Sequence, residues 1–346
     1  MQVVHLEPDS PGALTRFKCM TAEVYKSDPV WAPASETTLD AHWAAATPPS
    51  HFLFQPLLVE EDGRPIARAV ALLKRGAVDA AGHPQGYVGF FECLPDRPDA
   101  AVVVLDACEA LLRTRGVRTV QAPKADNQLF GCQTGGFDVP HLCLTPHNPP
   151  YYAGFFEAAG FEVAQRVLTL LFYRNDVGPQ IDVTVRGFRT RVFDRARLED
   201  EVAIFHRLQP QIFNSRTGYV PRSLDEDRAL ITGLLNVFDD DLIIIAEAEE
   251  AGPVGMLVGL PDFHQSLAGT PVDRLRILSI GILPAYVQKG IGTMMGAHLM
   301  RNILGKPEFV FAEASLVLAD NTAPQELAKK FRAKPGRQFS LFQKGI

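Results

Sequence analysis

The sequence predicts an α/β (α+β) chain of two domains, each a mixed, mostly antiparallel sheet flanked by helices. Three observations carry this expectation. The chain has 346 residues, more than a single compact core usually holds. Short apolar runs alternate with amphipathic stretches along it, the pattern of strands with helices laid on their faces. The same order of elements also occurs twice: helices, an antiparallel hairpin, strand, helix, strand, helix, strand. With 47% apolar and 21% charged residues, there is material for two cores.

In the first copy, residues 1–50 read as helical and irregular, broken by proline at Asp28-Pro29, Ala32-Pro33 and Pro48-Pro49. A strand over Phe54–Glu60 turns at Asp62-Gly63 into a second over Pro65–Lys74; the two-residue turn predicts a hairpin. Gly86–Cys93 is a strand and Ala100–Arg115 a helix, with Val104, Ala107, Leu111 and Leu112 as its apolar stripe. Val117–Ala122 is a strand, Tyr151–Ala159 a helix and Val167–Tyr173 a closing strand. Polar Asn175–Gln180 is the linker, giving domains 1–183 and 184–346.

The second copy runs Thr190–Phe193 (strand), Leu198–Gln211 and Asp225–Leu235 (helices), then Leu242–Glu247 and Gly255–Leu260 (strands). Leu275–Ile282 is a strand, Gly290–Leu304 a helix, Phe309–Leu316 a strand, Ala323–Phe331 a helix and Gln338–Lys344 the last strand.

A net charge of −6, with acids and bases mixed along the chain, argues against nucleic acid or an anionic membrane surface as partner. The five cysteines (Cys19, Cys93, Cys108, Cys132, Cys143) form no CxxC pair or other metal-ligand spacing, so no metal site is expected and they read as buried thiols in a reducing compartment. No signal-peptide pattern opens the chain and no apolar run reaches the ~20 residues of a membrane span. A cytoplasmic protein is expected, as monomer or homodimer.

The motif with chemistry in it runs from Ile280 through Ile282, Pro284 and Tyr286 to Gln288, Lys289, Gly290, Ile291, Gly292 and Thr293. An apolar strand enters a short loop, and glycines open a helix with Ile291, Met295, Leu299 and Ile303 on one face. A helix N-terminus has unpaired backbone N–H groups and a partial positive charge, and glycines let a pyrophosphate approach them. The fold could also be a glycine-opened helix packed close to a strand, without a ligand.

This stretch resembles the coenzyme A loop of the GNAT acetyltransferase superfamily, Q/R-x-x-G-x-G/A. Val287-Gln288-Lys289-Gly290-Ile291-Gly292 supplies both glycines, with Val287 in place of the first Gln or Arg. Asn321, after the next strand, matches the superfamily's pantetheine-contacting Asn. Trp31-Ala-Pro33, Gly89-Phe-Phe-Glu92, Gly135-Gly-Phe-Asp138 and Asn148-Pro-Pro-Tyr-Tyr152 resemble little-characterised bacterial proteins with two GNAT-like halves. The resemblance implies tandem GNAT-like domains, acetyl-CoA as donor and transfer of an acetyl group to a primary amine of a small molecule or peptide by direct attack. It implies a cofactor site of Ile280, Ile282, Gln288, Lys289, Gly290, Ile291, Gly292, Thr293 and Asn321, with the strands splaying between Ile282 and Ala314 to admit the pantetheine.

The N-terminal copy has Cys93-Leu-Pro-Asp-Arg-Pro-Asp-Ala100 in the corresponding loop, without glycine and with Asp96 and Asp99 where phosphates would lie. It is expected to be a degenerate copy that does not bind coenzyme A. The superfamily's catalytic Tyr and Glu have no match: Ala328 and Arg276 stand at those places. Tyr286 and Glu313 are the substitute catalytic candidates, each with a packing or pairing alternative. Tyr219, Tyr151, Tyr152 and Glu92 are candidate substrate contacts, the last three equally readable as core packing or an Arg-paired carboxylate. His264 reads as a solvated loop residue rather than a base. Rival functions are a non-catalytic acyl-CoA sensor or scaffold, and a transferase of longer acyl or aminoacyl groups.

Overall fold

The structure is a computed structural model and describes residues 1–45, 52–176, 182–214, 219, 221–237 and 239–346. Two compact units emerge, residues 1–168 with 337–346, and residues 169–336. The expected boundary at 183/184 thus lies inside unit 2, and the final strand ends in unit 1 rather than in the C-terminal half. Most of the linker, residues 177–180, lies outside the described residues.

Unit 1 contains β1 (Gln2–His5), α1 (Ala13–Lys18), α2 (Thr21–Val24), α3 (Glu36–Ala45), β2 (Phe52–Glu61), β3 (Arg64–Val78) and β4 (Pro84–Cys93). Then come α4 (Pro98–Arg113), β5 (Thr119–Ala122), β6 (Cys132–Gly135), α5 (Tyr152–Ala158) and β7 (Glu162–Tyr173), which passes into unit 2 after Leu168. Unit 2 has β8 (Phe188–Val192), α6 (Leu198–Phe213), α7 (Leu224–Leu234), β9 (Ile243–Ala248), β10 (Gly252–Pro261) and α8 (Phe263–Leu267). It continues with β11 (Arg274–Ile282), α9 (Ile291–Leu304), β12 (Phe311–Leu318) and α10 (Thr322–Lys330). The last strand, β13 (Lys334–Gly345), belongs to unit 1 from Arg337 onward.

Every strand and helix expected from periodicity is present. Those not expected are short: β1 and β6 have four residues and α8 has five. A strand like β6 exists only through its pairing with β13, some two hundred positions away in the chain, and local pattern carries no sign of that.

In unit 1 the strands run in the order β1-β2-β3-β4-β5-β13, antiparallel except for β4 with β5. The β2–β3 hairpin turns on Asp62 (φ 51°) and Gly63 (φ 75°), the paired left-handed geometry whose twist suits a two-residue hairpin. Val104, Leu105, Cys108 and Leu112 of α4 are buried against this sheet. Four of the cysteines are buried as expected; Cys19 is exposed instead, because it lies in the irregular turn between α1 and α2.

In unit 2 the order is β12-β11-β10-β9-β8, antiparallel except for β11 with β12. The stripe Ile291, Met295, Leu299, Ile303 is buried on one face against Leu257, Leu275 and Ile277. Val202 of α6 and Ile231 of α7 pack on the other face with Ile243 and Val258. The chain thus places one helix behind the β11 strand end and a helix pair in front of it. Among the described residues no helix is long and apolar enough to cross a membrane.

The seat of α9 depends on a close approach. A Cβ at Gly296 would lie 2.9 Å from Cε2 and from Cζ of Phe331, a side chain only 3% exposed. Gly296→Val is expected to cost about 1–3 kcal/mol by overpacking, seen as a lower urea midpoint. Adding Phe331→Leu should recover part of that loss, since the two sites share one contact.

Candidate functional site

The site in unit 2 is created by a break in strand pairing. β11 pairs with β12 in parallel only from Arg274↔Phe311 to Ile277↔Ala314. On its other edge β11 stays paired with β10 as far as Ile282↔Gly255. The break coincides with a bulge: Val258 faces Ser279 and Gly259 faces Ile277, so Leu278 is the extra residue. Ile277, Ile280 and Ile282 all pack on the α9 face, whereas Leu278 packs on the α6–α7 face. A three-residue step from Ile277 to Ile280 on one face is impossible in a regular strand, whose side chains alternate. The bulge absorbs it and bends β11 away.

On β12, two residues past the last pair, Leu316 has φ 60°, a left-handed backbone that bulky side chains rarely take. Residues 278–282 are half-buried, whereas Leu275, Arg276 and Ile277 are buried. The pairing of β11 with β12 therefore ends where the splay between Ile282 and Ala314 is expected, leaving the β12-side edge of Ser279–Ile282 as a slot without a β12 partner among the described residues.

At the open end of the slot the chain crosses a 3₁₀ turn, Pro284–Tyr286, and enters α9. Gln288 and Gly290 have φ 66° and 84°, turning the chain sharply into the helix; the second position is where glycine relieves strain. Gly290 is exposed and no side chain caps α9, so the first-turn N–H groups of Ile291, Gly292 and Thr293 are open to an anion. A Cβ at Gly292 would meet only Leu327 at 3.4 Å and Ile282 at 3.5 Å, ordinary contacts. Lys289 Nζ rests 5.0 Å above the Tyr286 ring, free to swing toward a phosphate. Lys330 of α10 donates to Thr293 Oγ1 at 3.1 Å, bringing a second ammonium to this helix end. The sequence did not single out Lys330, because a basic residue in a last helical turn is ordinary.

Asn321 begins α10 without capping it by its side chain. Tyr286 stands at the loop end, its ring edge-on to Phe188 at 6.0 Å. Glu313 lies at the other, closed end, fully buried and in register with fully buried Arg276. The Tyr219 ring is tilted against Phe213, ring centroids 6.3 Å apart; its neighbours 217, 218 and 220 lie outside the described residues. His264 is not a solvated loop residue: it is 3% exposed, in the first turn of α8.

Unit 1 repeats the same break and fills it. β4 and β5 pair only from Gln85↔Thr119 to Tyr87↔Gln121, and the β3–β4 register slips between Arg68↔Glu92 and Val70↔Gly89, with Phe90 at φ 51°. Here Lys124 N–H donates to Val88 O at 2.8 Å, and a Cβ on Gly89 would lie 2.9 Å from Lys124 O. At the strand end, Cys93 N–H donates to the Tyr152 hydroxyl at 2.8 Å, and the Tyr151 hydroxyl donates to Cys93 O at 3.1 Å. The backbone groups at this strand end are hydrogen-bonded within unit 1 itself.

Glu92, Tyr151 and Tyr152 are thus brought together. Glu92 accepts from Tyr152 at 2.6 Å and from Tyr25 at 3.1 Å, with Arg68 Nη2 3.7 Å away and itself bonded to Glu36 at 3.2 Å. Trp31 stacks on Tyr25 at 4.8 Å, and Asn148 Oδ1 accepts from Gln133 N–H at 2.6 Å. The polar-aromatic motifs of the first half converge here on a hydrogen-bonded network that fastens the α2–α3 segment to β4 and α5.

Burial outweighs Arg68 and the tyrosines and raises the Glu92 carboxyl from 4.5 to about 7. A raised folded pKa means the neutral form is favoured on folding. That stabilisation is complete below about 4.5 and is lost as pH rises through about 7. The urea midpoint of the wild type, minus that of Glu92→Gln, is expected to fall between pH 5 and pH 8 and to stay flat above; a difference flat across that range would contradict it.

No family model matches the chain. Protein YghO of Escherichia coli (strain K12) is 24% identical over 364 residues, covering 96% of this chain and 93% of that protein. A protein named bacterial ceramide synthase, from Caulobacter vibrioides, is 25% identical over 272 residues, covering 75% of this chain and 70% of its own. Among solved structures, a tandem GNAT protein from the clavulanic acid biosynthesis pathway superposes with TM-score 0.65 at 12% identity, covering 99% of this chain and 98% of that one. A GCN5-related N-acetyltransferase from Sphaerobacter thermophilus gives 0.62 at 14% identity, covering 99% and 95%. Together with the doubled strand-pair break, these likenesses show that the chain has the tandem GNAT fold, two GNAT-type units in one polypeptide.

Proposed function

We propose that the protein is an acyl-CoA-dependent N-acyltransferase whose unit 2 holds the donor, with acetyl-CoA as that donor and a primary amine as acceptor. The observation that carries this reading is the slot beside Ser279–Ile282 running directly into the uncapped, glycine-opened start of α9. Backbone groups along the slot would pair with the pantetheine amides, the N–H groups of Ile291, Gly292 and Thr293 would hold the pyrophosphate, and Lys289 and Lys330 would add charge. Asn321 would contact the pantetheine arm. Unit 1, with its slot filled and Asp96 and Asp99 in the loop, serves as scaffold.

With the phosphates at α9, the thioester reaches the closed end of the slot near Ile277–Ser279. The amine nitrogen attacks the thioester carbonyl, a C–N bond forms, the C–S bond breaks, and the thiolate takes a proton as the ammonium loses one. The five residue steps from Ile277 to Ile282 span about 16 Å, so Tyr286 belongs to the phosphate end. Glu313, in register beside Arg276 at the closed end, is the proton-accepting candidate. Where the donor is concerned, the relative named bacterial ceramide synthase favours a second reading: a ceramide is an amide of a long-chain amino alcohol, which would call for a longer acyl group.

Gly292→Glu should abolish acetyl-CoA binding in calorimetric titration without loss of fold, because the site has room for a Cβ; unchanged affinity would remove the loop from the proposal. Glu313→Gln should lower kcat by about 10²-fold or more while acetyl-CoA affinity stays within about twofold, whereas Tyr286→Phe leaves kcat nearly unaltered. Binding with no turnover against any amine would favour the sensor reading.

A further inference from the structure

From the packing of α6 on β11 we infer that Ile212 sets the length of the acyl group: it closes the route a chain longer than acetyl would take. The inference rests on the donor site proposed for unit 2 and selects between its two donor readings.

The slot is a dead end in the plane of the sheet, because β12 rejoins β11 at Ile277↔Ala314. An acyl chain reaching that end must leave the plane through one of the two faces. On the α9 face, Ile277 and Ile280 lie in a core with Ile291, Met295 and Leu299, which are at most 1% exposed. Nothing there can yield without cavities and strain in a close-packed interior. The α6 face differs: Ile204, Phe205, Ile212 and Leu283 are only half-buried around Leu208, Phe213 and Met256. This is the side on which a chain could be accommodated.

At that face the last turn of α6 comes down on Gly281. A Cβ placed on Gly281 would fall inside the Ile212 side chain and would lie 3.2 Å from Phe213 Cζ. Glycine is needed at 281 for that reason alone. Three positions back along β11, across the bulge, Leu278 is held on the same face by Phe193, Val202 and Val258. Between these contacts lies Ser279, half-buried, and that is the exit the proposal assigns to the chain. A two-carbon acyl group fits beside Ser279 without meeting α6. A longer chain turning out at Ser279 runs into Ile212, whose trimming opens a path toward the half-exposed apolar side chains beyond it. Phe213 is the less useful lever, since it is 9% exposed and supports Leu208 and Met256.

The test is calorimetric titration of the full chain with coenzyme A, acetyl-CoA, butyryl-CoA and octanoyl-CoA, on wild type, Ile212→Val and Ile212→Ala. The wild type is expected to bind octanoyl-CoA at least tenfold more weakly than acetyl-CoA. In Ile212→Ala that ratio should shrink by about tenfold, while affinity for coenzyme A itself, which has no acyl group, changes less than twofold. Ile212→Val should give an intermediate gain for butyryl-CoA and covers the case in which Ile212→Ala fails to fold. Wild-type preference for octanoyl-CoA, or a chain-length series that neither variant moves, would overturn the assignment of Ile212 while leaving the donor site standing. Failure of coenzyme A and acetyl-CoA alike to bind the wild type would overturn both.

Discussion

The functional geometry of unit 2 depends on one interrupted strand pairing. Had β11 and β12 continued in parallel register past Ile277↔Ala314, the backbone edge of Ser279–Ile282 would be consumed within the sheet. The bulge at Leu278 and the left-handed backbone at Leu316 turn the two strands apart. Strand groups left without a strand across from them seek partners, because a buried backbone donor or acceptor is costly to leave unmet. On the proposed function, an extended arm with amides of its own would be such a partner. The α9 N-terminus stands at the mouth of the same opening, so one local feature of the strand pair orients the whole site.

Unit 1 shows what the break does when the chain answers it internally. Its parallel pair stops at Tyr87↔Gln121 and its bulge lies at Phe90, yet Lys124 takes the Val88 carbonyl and Tyr151 and Tyr152 take the backbone of Cys93. The two units therefore differ in what meets the strand end, through a few side chains on the closing helix and through the loop after the strand. In unit 1 that loop carries Arg97 bonded to Asp99 and Glu61 instead of glycines. The strained φ at Phe90 persists where the slot is filled. Bulge strain is thus a property of this fold's strand pair and cannot by itself mark a ligand site.

Much of this was legible in the sequence. The order of elements, the Asp62-Gly63 hairpin and the stripe Ile291, Met295, Leu299, Ile303 follow from periodicity and turn chemistry, both local. The loop before α9 was legible because glycines at a strand-to-helix junction have few other uses. What the sequence hid is what long-range packing decides. Glu92 in isolation reads as an amine-binding, a surface or an Arg-paired carboxylate, and only the fold brings Tyr25, Tyr152 and Arg68 to it. His264 in a polar, turn-rich segment looks solvated, yet α8 buries it. The last ten residues look like the end of the second copy, but their strand pairs β5, a partner no local pattern names.

Ile212 belongs to the same class of hidden residue, and its case shows why. In sequence it is one more apolar residue near the end of an amphipathic helix, with nothing to separate it from Ile204 or Leu208. Gly281 is equally mute, since a glycine in a strand can mark a bulge, a bend or a close approach. Only together do they say something: the strand lacks a side chain at 281 so that a helix can take that space, and it does so on the strand segment proposed to flank the donor. Motifs report local groups, here the backbone at a glycine-opened helix start. The part of a ligand that varies is read by contacts between elements far apart in the chain, and those require the coordinates.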